Sequence, residues 1–357
     1  MPQPLIAIDA RMIARRGGGD TSYWRGLVCA LPGAADGLDF VLLADAPRPA
    51  GFKSPFDWVE VAGQGRFWSM VSFPNQARRL GAQVVHTQYT LSPLAGKCGV
   101  TTIHDVSFFI GPEWFSLKDR LLMRATVPDT VKRAAIVLTV SETSKQEIEK
   151  YIPGATGKVR VTPNALGDNI RPVPHVEAER IVREELGISG PYILTVGTRW
   201  PRKNMALAIE AAALLPETLP HRLVVAGKAG WGSLPPNERT TFAGYVSDAQ
   251  LTALYQCAAL YVAPSLHEGF GIPLLEAWAC GCPVVCSTGG ALPEVAGDAA
   301  LVVQGWEAEE WAGQIASLLG DSSKLERLRE RGRSRLGDFS WDETAKKTVQ
   351  AYREVIG

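Results

Sequence analysis

"ALYVAPSLHEGFGIPLLEAWACGCPVVCS", residues 259–287, decides the fold. The stretch opens on an apolar run, Ala259 to Ser265, and closes on another, Pro283 to Ser287. Between them lie a turn with Gly269 and Gly271, then Pro273, then a helical stretch of small and apolar residues. Pro suits the first turn of a helix, where its missing N–H costs nothing, and glycine can precede it as the cap. Strand, turn, helix and strand in so short a span is a βαβ unit, whose two strands run parallel.

The same rhythm extends outward in both directions. "LIAIDA" (5–10), "FVLLA" (40–44), "VVHT" (84–87), "VTTIHD" (100–105) and "AIVLTVS" (135–141) read as strands with helical patterns among them. "YILTVGT" (192–198), "RLVVAG" (222–227), "TTFAGYV" (240–246) and "ALVVQ" (300–304) continue the series. These runs are mostly unbroken apolar residues, as expected of parallel strands covered on both faces. From about Pro163 the rhythm breaks. "TPNALGDNIRPVPH" is rich in proline and polar residues and reads as a linker, followed by the short helical "VEAERIVREELG". The expected fold is therefore α/β, with two doubly wound Rossmann-like domains facing a central cleft. The first spans 1–168 and the second 169–339. The amphipathic "WDETAKKTVQAYREVIG", within about 340–357, is expected to return to the first domain. In such sheets ligands bind beyond the carboxyl ends of the strands, so the residues to weigh are those just after each strand.

The chain has 357 residues, which suits two cores better than one. Lys+Arg and Asp+Glu are equal at 37 each, so net charge argues for no particular partner. Residues 1–168 hold 19 basic against 15 acidic side chains, leaving 18 and 22 for the rest: +4 and −4. A nucleic-acid surface would be far more basic, and none is expected. "MPQPLIAIDA" runs straight into a strand, so we expect a cytoplasmic protein whose six cysteines are reduced. Cys280, Cys282 and Cys286 lack the paired spacing of a zinc site, and no Asp-x-Asp metal motif is present. No apolar run is long enough to span a membrane.

The turn at 267–273 has a chemical logic of its own. A helix N-terminus offers unpaired backbone N–H groups and a partial positive charge. Gly269 and Gly271 let an oxygen-rich ligand approach that backbone closely, which describes an anion cradle. Glu276 falls one turn into the helix, where a carboxylate can accept hydrogen bonds from vicinal hydroxyls such as those of a ribose. Glu268 stands on the other side and could bind hydroxyls of a second group. A phosphate flanked by two polyols is a nucleoside-diphosphate sugar. The competing reading is a plain helix start that favours acidic residues.

"PSLHEGFGIPLLEAWACGCPVV" resembles the E-x7-E signature of retaining glycosyltransferases of the GT-B fold, in particular glycosyltransferase family 4. The resemblance implies that Glu268 faces the transferred sugar and Glu276 the donor ribose. It also places backbone around Gly269, Phe270, Gly271 and Ile272 at the phosphates. "VGTRWPRKN" (196–204) is similar to the family's phosphate-binding turn, with Arg202 and Lys203 as the diphosphate cations. Many members have an arginine where this chain has Thr198; Arg199 follows one residue later. "AGKAGWG" (226–232) supplies Gly227 and Lys228 as donor contacts, and "GYVSDAQLTALYQCA" (244–258) resembles the segment lining the nucleobase around Tyr245 and Val246.

In the first domain "RRGGGDTSYW" (15–24) lacks G-x-G-x-x-G spacing, which weakens a dehydrogenase reading. It resembles the family's glycine-rich loop over the donor phosphate, with Gly18 and Gly19, or is simply a turn. His104, after a strand, resembles the histidine that touches the donor sugar. His86 is read either as acceptor-side lining or as structural. Ser141 reads as a helix cap. Residues 115–135 mix Phe115, Leu117, Leu121, Leu122 and Met123 with Lys118, Arg120, Arg124, Lys132 and Arg133. A basic amphipathic segment of this kind can lie on an anionic membrane, here the inner face, or can be an ordinary surface helix.

The resemblance implies transfer of a hexosyl group, mannosyl preferred, to a hydroxyl of a glycan or lipid-linked saccharide. Configuration is retained by front-face displacement, with no cofactor and no metal. GDP-mannose is preferred as donor over UDP-sugars, and Glu268 is expected to contribute little to binding of the nucleotide itself. A nucleotide-sugar 2-epimerase of the same fold and an inactive nucleotide-sugar-binding homologue remain alternatives.

Overall fold

A computed structural model describes residues 2–15, 18–231, 234 and 237–357. They divide into two compact units, one formed by 1–165 with 340–357, the other by 166–339.

The first unit holds strands β1 (Leu5–Asp9), β2 (Asp39–Ala44), β3 (Asp57–Glu60), β4 (Val84–Gln88), β5 (Gly99–Thr102), β6 (Ile136–Thr139) and β7 (Val159–Val161). All pair in parallel, in the order β3-β2-β1-β4-β5-β6-β7. The second unit holds β8 (Tyr192–Val196), β9 (Arg222–Ala226), β10 (Thr240–Gly244), β11 (Leu260–Ala263), β12 (Val284–Ser287) and β13 (Ala300–Val303). These are also parallel, in the order β10-β9-β8-β11-β12-β13. Both orders reverse direction once, between β1 and β4 in one sheet and between β8 and β11 in the other. Crossovers on either side of such a reversal go to opposite faces, so the strand ends part there and leave a crevice.

The apolar runs of the sequence are the central strands. β1, β4, β8 and β11 are buried almost throughout, and apolar residues fill most of them; the exceptions are Asp9, Thr195 and, in β4, His86, Thr87 and Gln88. Two strands go beyond the sequence expectation. β3, "DWVE", is a half-exposed edge strand, and β7, "VRV", has three residues. Neither needs or has an apolar run. "TTIHD" leaves the sheet earlier than expected: β5 stops at Thr102, and His104 lies on the loop after it.

The helix Trp341–Ile356 belongs to the first unit. Ser340 caps it, accepting from the backbone N–H groups of Asp342 and Glu343. One face buries Ala345, Val349, Ala351 and Tyr352 against the helix Gly19–Ala34. Gly26 makes the close approach possible: a Cβ there would stand 2.1 Å from the Trp341 ring. Any side chain at 26 would have to expel the indole.

Among the described residues no helix is long and apolar enough to cross a membrane. All six cysteines are thiols, outside any disulfide.

Candidate active site

In the second unit the reversal of strand order brings together the turns after β8 and β11. After β8 the chain passes Gly197 and makes a short 3-10 turn, Pro201–Lys203. It then takes a left-handed conformation at Asn204 (φ +47°) before the helix Met205–Ala213. After β11 it runs through Ser265, His267 and Glu268 to Gly271 (φ +104°), which precedes the helix Ile272–Ala279 with Pro273 in its first turn. Gly271 has no side chain to cap that helix; Pro273 carries no N–H and the Leu274 N–H donates to the Gly271 carbonyl at 2.9 Å, which leaves the Ile272 N–H at the helix start for another acceptor. The two turns are stitched together where the Leu266 N–H donates to the Arg202 carbonyl at 2.8 Å.

Glu268, 8% exposed, sits at the centre. Its Oε1 accepts from Lys203 Nζ at 2.5 Å and from Ser265 Oγ at 2.7 Å. Its Oε2 accepts from Arg202 Nη1 at 2.8 Å, and the same nitrogen donates to the His267 carbonyl at 2.6 Å. Burial by itself would raise the carboxyl pKa. The charges of Lys203 and Arg202, with hydrogen bonds from Lys203 and Ser265, outweigh it and hold the group far below the usual carboxylate range. Two cations against one carboxylate leave the cluster at +1.

Glu276, also 8% exposed, behaves oppositely. Burial raises its pKa, against hydrogen bonds from Tyr255 and Asn169 and the charge of Lys203. The Tyr255 hydroxyl donates to its Oε2 at 3.1 Å.

A further loop braces the site. Ser287 Oγ, at the end of β12, donates to the Ser265 carbonyl at 2.5 Å, and the Ala291 N–H donates to the Glu268 carbonyl at 2.8 Å. A Cβ on Gly289 would lie 2.1 Å from the Ser265 carbonyl oxygen, and one on Gly290 2.3 Å from that of Glu268. Ser265, Tyr255, Asn169, Ser287, Gly289 and Gly290 were not singled out from sequence. The one available signal is "STGG" (287–290), a glycine pair directly after a strand.

The remaining candidates of this unit lie on neighbouring turns. Gly227 (φ +141°) must be glycine, because a Cβ would lie 2.0 Å from the Gly197 carbonyl oxygen. The Arg199 N–H donates to the Lys228 carbonyl at 3.1 Å, and the Arg199 guanidinium stands 5.4 Å from the Phe242 ring. The Arg199 guanidinium is thus turned to Phe242, whereas Arg202 and Lys203 form the Glu268 cluster. Lys228 Nζ lies 5.0 Å from the exposed Tyr245 ring, and Val246 follows, half-buried. The Phe270 side chain is buried, edge-on to Phe339 at 5.3 Å, so only its backbone faces the turn. Gly269 and Gly271 are buried in the turn, and Ile272 is half-buried at the helix start.

In the first unit the glycine-rich segment and His104 come together. Gly18 (φ +108°) precedes the helix Gly19–Ala34, whose Asp20 Oδ1 is 3.6 Å from His104 Nε2. Burial lowers the His104 pKa, against the charges of Asp20 and Asp105. Arg16 and Gly17 lie outside the described residues. His86 is interior rather than lining. It is 0% exposed, with Nδ1 2.6 Å from the Tyr352 hydroxyl and Nε2 2.8 Å from Thr102 Oγ1. Ser141 caps its helix, accepting from the Ser144 N–H at 3.0 Å.

The carboxyl ends of β1 and β4 frame a cavity of about 160 Å³, lined by Asp9, Arg11, Met12, Arg15, Trp24, Gln88 and Tyr89. Arg11 grips Asp9 through two nitrogens, at 2.9 and 2.6 Å, with its guanidinium 4.0 Å from the Trp68 ring. Trp24 Nε1 donates to Gln88 Oε1 at 2.5 Å, and Tyr89 is left-handed (φ +56°). No sequence motif marks this pocket.

In the segment 115–135, the helix Leu117–Arg133 exposes Leu117, Leu121 and Leu122 beside Lys118 and Arg124. Phe115 and Met123 pack on the core, and Arg133 bonds the Leu91 carbonyl.

Comparison with known proteins agrees with this architecture. Residues 179–335 match the family model "Glycosyl transferases group 1", and 18–167 match "Glycosyltransferase Family 4". O-antigen chain mannosyltransferase B of Escherichia coli is 36% identical over 71% of this chain and 70% of its own. A serotype-specific mannosyltransferase WbdA of Escherichia coli is 28% identical over 63% of this chain, which spans 29% of WbdA's length. Among solved structures, sucrose-phosphate synthase from Thermosynechococcus elongatus superposes with a TM-score of 0.76 at 22% identity, over 99% and 98% of the two chains. Anabaena HepE, in complex with UDP and glucose, gives 0.72 at 17% identity, over 98% of each chain. Two parallel Rossmann-like sheets covered by helices define the GT-B class. Within it, the chain belongs to the group 1, family 4 glycosyltransferases and is a glycosyltransferase.

Proposed function

We propose that the protein transfers a hexosyl group, mannosyl by preference, from a nucleoside-diphosphate sugar to a hydroxyl of a glycan or lipid-linked saccharide. The observation that carries this reading is the convergence of Arg202, Lys203 and Glu268 with an uncapped helix start at the β8–β11 reversal. A departing diphosphate needs that combination: cations and oriented N–H groups where negative charge develops. Glu276, with Tyr255 behind it, is the ribose acceptor; Thr198, Arg199, Gly227, Lys228, Tyr245 and Val246 surround the rest of the nucleotide. Gly18, Gly19 and His104 serve the donor's phosphate and sugar. The acceptor sugar occupies the β1–β4 pocket, where Asp9, Arg11 and Gln88 offer both donors and acceptors of hydrogen bonds to hydroxyls.

In the proposed step the acceptor oxygen attacks C1 on the face the diphosphate leaves. The C1–O bond to phosphate breaks, its electron pair goes to the diphosphate, and the acceptor proton passes to a phosphate oxygen. Configuration is retained. Lys203 and Arg202 supply the charge a divalent ion would otherwise bring, so EDTA should leave turnover unchanged. Because the related proteins are named mannosyltransferases, GDP-mannose is the donor to test first; the UDP bound by Anabaena HepE keeps UDP-sugars in the comparison. Exposed Leu117, Leu121 and Leu122 beside Lys118 and Arg124 fit docking on an anionic membrane near a lipid-linked acceptor. Flotation with anionic liposomes checks this, and no binding at low salt rules it out.

The test of the central reading is calorimetry with GDP, UDP and ADP, followed by transfer assays with the corresponding sugars. Glu276→Ala should weaken the preferred nucleotide by roughly tenfold, the size of one lost charge-assisted hydrogen bond. Unchanged affinity would remove the ribose assignment.

A further inference from the structure

Both carboxylate oxygens of Glu268 are bound by protein partners. Lys203 and Ser265 occupy Oε1, and Arg202 occupies Oε2. The carboxylate stands where its two cations converge, and little water reaches any of the three side chains. Two cations so close and so shielded would repel each other and be costly to desolvate without a counter-charge. A diphosphate would supply that counter-charge when bound. We infer that Glu268 supplies it when the diphosphate is absent: it is the resident counter-anion of Lys203 and Arg202, and it competes with the leaving diphosphate for them.

This rests on the donor-site reading above and adds a role to it. Glu268 acts through the two cations, as a positioning residue. It keeps both side chains extended toward one point, so the site does not have to be assembled as the donor arrives. It also lowers the charge of the cluster from +2 to +1, by the arithmetic of two cations and one carboxylate. The diphosphate is therefore held less tightly than the two cations alone would hold it. As it leaves, the carboxylate takes the cations back, which speeds product release. The brace behind Glu268 fits this use. Ser265 fixes Oε1, the Ala291 N–H fixes the Glu268 carbonyl, and Gly290 lets that loop approach. A side chain needed only for a passing hydroxyl contact would not require both its carboxylate and its backbone to be held. The expectation from sequence, that Glu268 matters little to nucleotide binding, changes accordingly.

The test is Glu268→Gln, which keeps shape and hydrogen-bonding atoms and removes the charge. Calorimetry is run with inorganic pyrophosphate, GDP and UDP at two salt concentrations. Pyrophosphate and the preferred nucleotide should bind the variant roughly five- to tenfold more tightly at low salt, mostly through slower dissociation, with the gain shrinking at high salt. Glu268→Asp draws the carboxylate back by one methylene; it should shift affinity the same way by less and covers the case of a Gln variant that does not fold. Equal or weaker pyrophosphate binding in a folded variant overturns the inference. If the wild-type protein binds pyrophosphate but neither nucleotide, the donor-site reading fails, while the pyrophosphate arm still decides the role of Glu268.

Discussion

The two sheets reverse strand order in the same way, yet the crevices they open are chemically unlike. At β8–β11 the partners are charges converging on one buried carboxylate, with a helix start beside them. At β1–β4 the carboxylate of Asp9 is gripped by one arginine that also lies on Trp68, and the neighbouring polar group is an amide held by Trp24. The first arrangement leaves net positive charge for a polyanion. The second leaves mixed donors and acceptors for hydroxyls. Topology says where a ligand can enter; the residues after the strands say what kind.

The contrast is broken most severely at Lys203. Lys203→Met removes one of two cations and leaves Glu268 partly unpaired in a shielded site. Turnover should fall by roughly 10²–10³-fold, as when one preorganised transition-state donor is lost. Nucleotide affinity should fall with it, and the melting temperature should drop because a buried carboxylate loses a partner. Kinetics, calorimetry and a thermal melt on one preparation separate these effects. A variant with normal turnover would mean the β8–β11 crevice is not where a diphosphate leaves.

How much of this contrast was legible in the sequence differs between the crevices. The β11 stretch could be read because each of its parts is forced. A strand covered on both faces must be apolar, and a helix opening on Gly-x-Pro has few other uses. The β1–β4 pocket could not, because Asp9 and Gln88 end ordinary strands and Arg11 follows one, without special spacing. Edge strands β3 and β7 were missed for a related reason: half-exposed or three residues long, they carry no apolar run. The partners of the glutamates were hidden by distance along the chain. Asn169 and Tyr255 reach Glu276 from a linker and from another helix, and nothing local marks either. The sequence reading sent Arg202, Lys203 and Glu268 separately toward the ligand. Their ion pairing depends on how two turns are stitched, which only the fold supplies.

Acid sharpens the comparison, because the two units meet protons differently. His86, interior to the first unit, is pushed down to about 3 by burial and by His104. The folded form therefore keeps it neutral while the unfolded chain binds a proton below about pH 6.5. Stability contributed by neutral His86 is present above that pH and is lost as pH falls toward 3. Between pH 6.5 and 5 the loss is about 2 kcal/mol. Glu268 in the second unit stays ionised throughout this range, and Glu276, whose pKa is raised, works in the opposite direction. Hydrogen exchange at pH 5 should show the first unit losing protection before the second. His86→Gln should flatten the acid slope of the melting temperature; an unchanged slope would place the acid-sensitive group elsewhere.

The mildest test addresses the pocket at β1–β4. Gln88→Glu is close to isosteric and keeps the oxygen that accepts from Trp24 Nε1. It loses the amide's donors and adds a negative charge beside Asp9, in a pocket whose positive groups are Arg11 and Arg15. A hydroxyl-rich acceptor would lose a donor and meet a second carboxylate. KM for the acceptor should rise by roughly three- to tenfold, about 1 kcal/mol, while nucleotide affinity stays as in the wild type. Methyl mannosides and short mannose oligosaccharides serve as acceptors for the measurement. A matched loss in nucleotide affinity would show that the two crevices are not separate ligand sites. An unchanged KM would move the acceptor away from Gln88 and leave the pocket to another use.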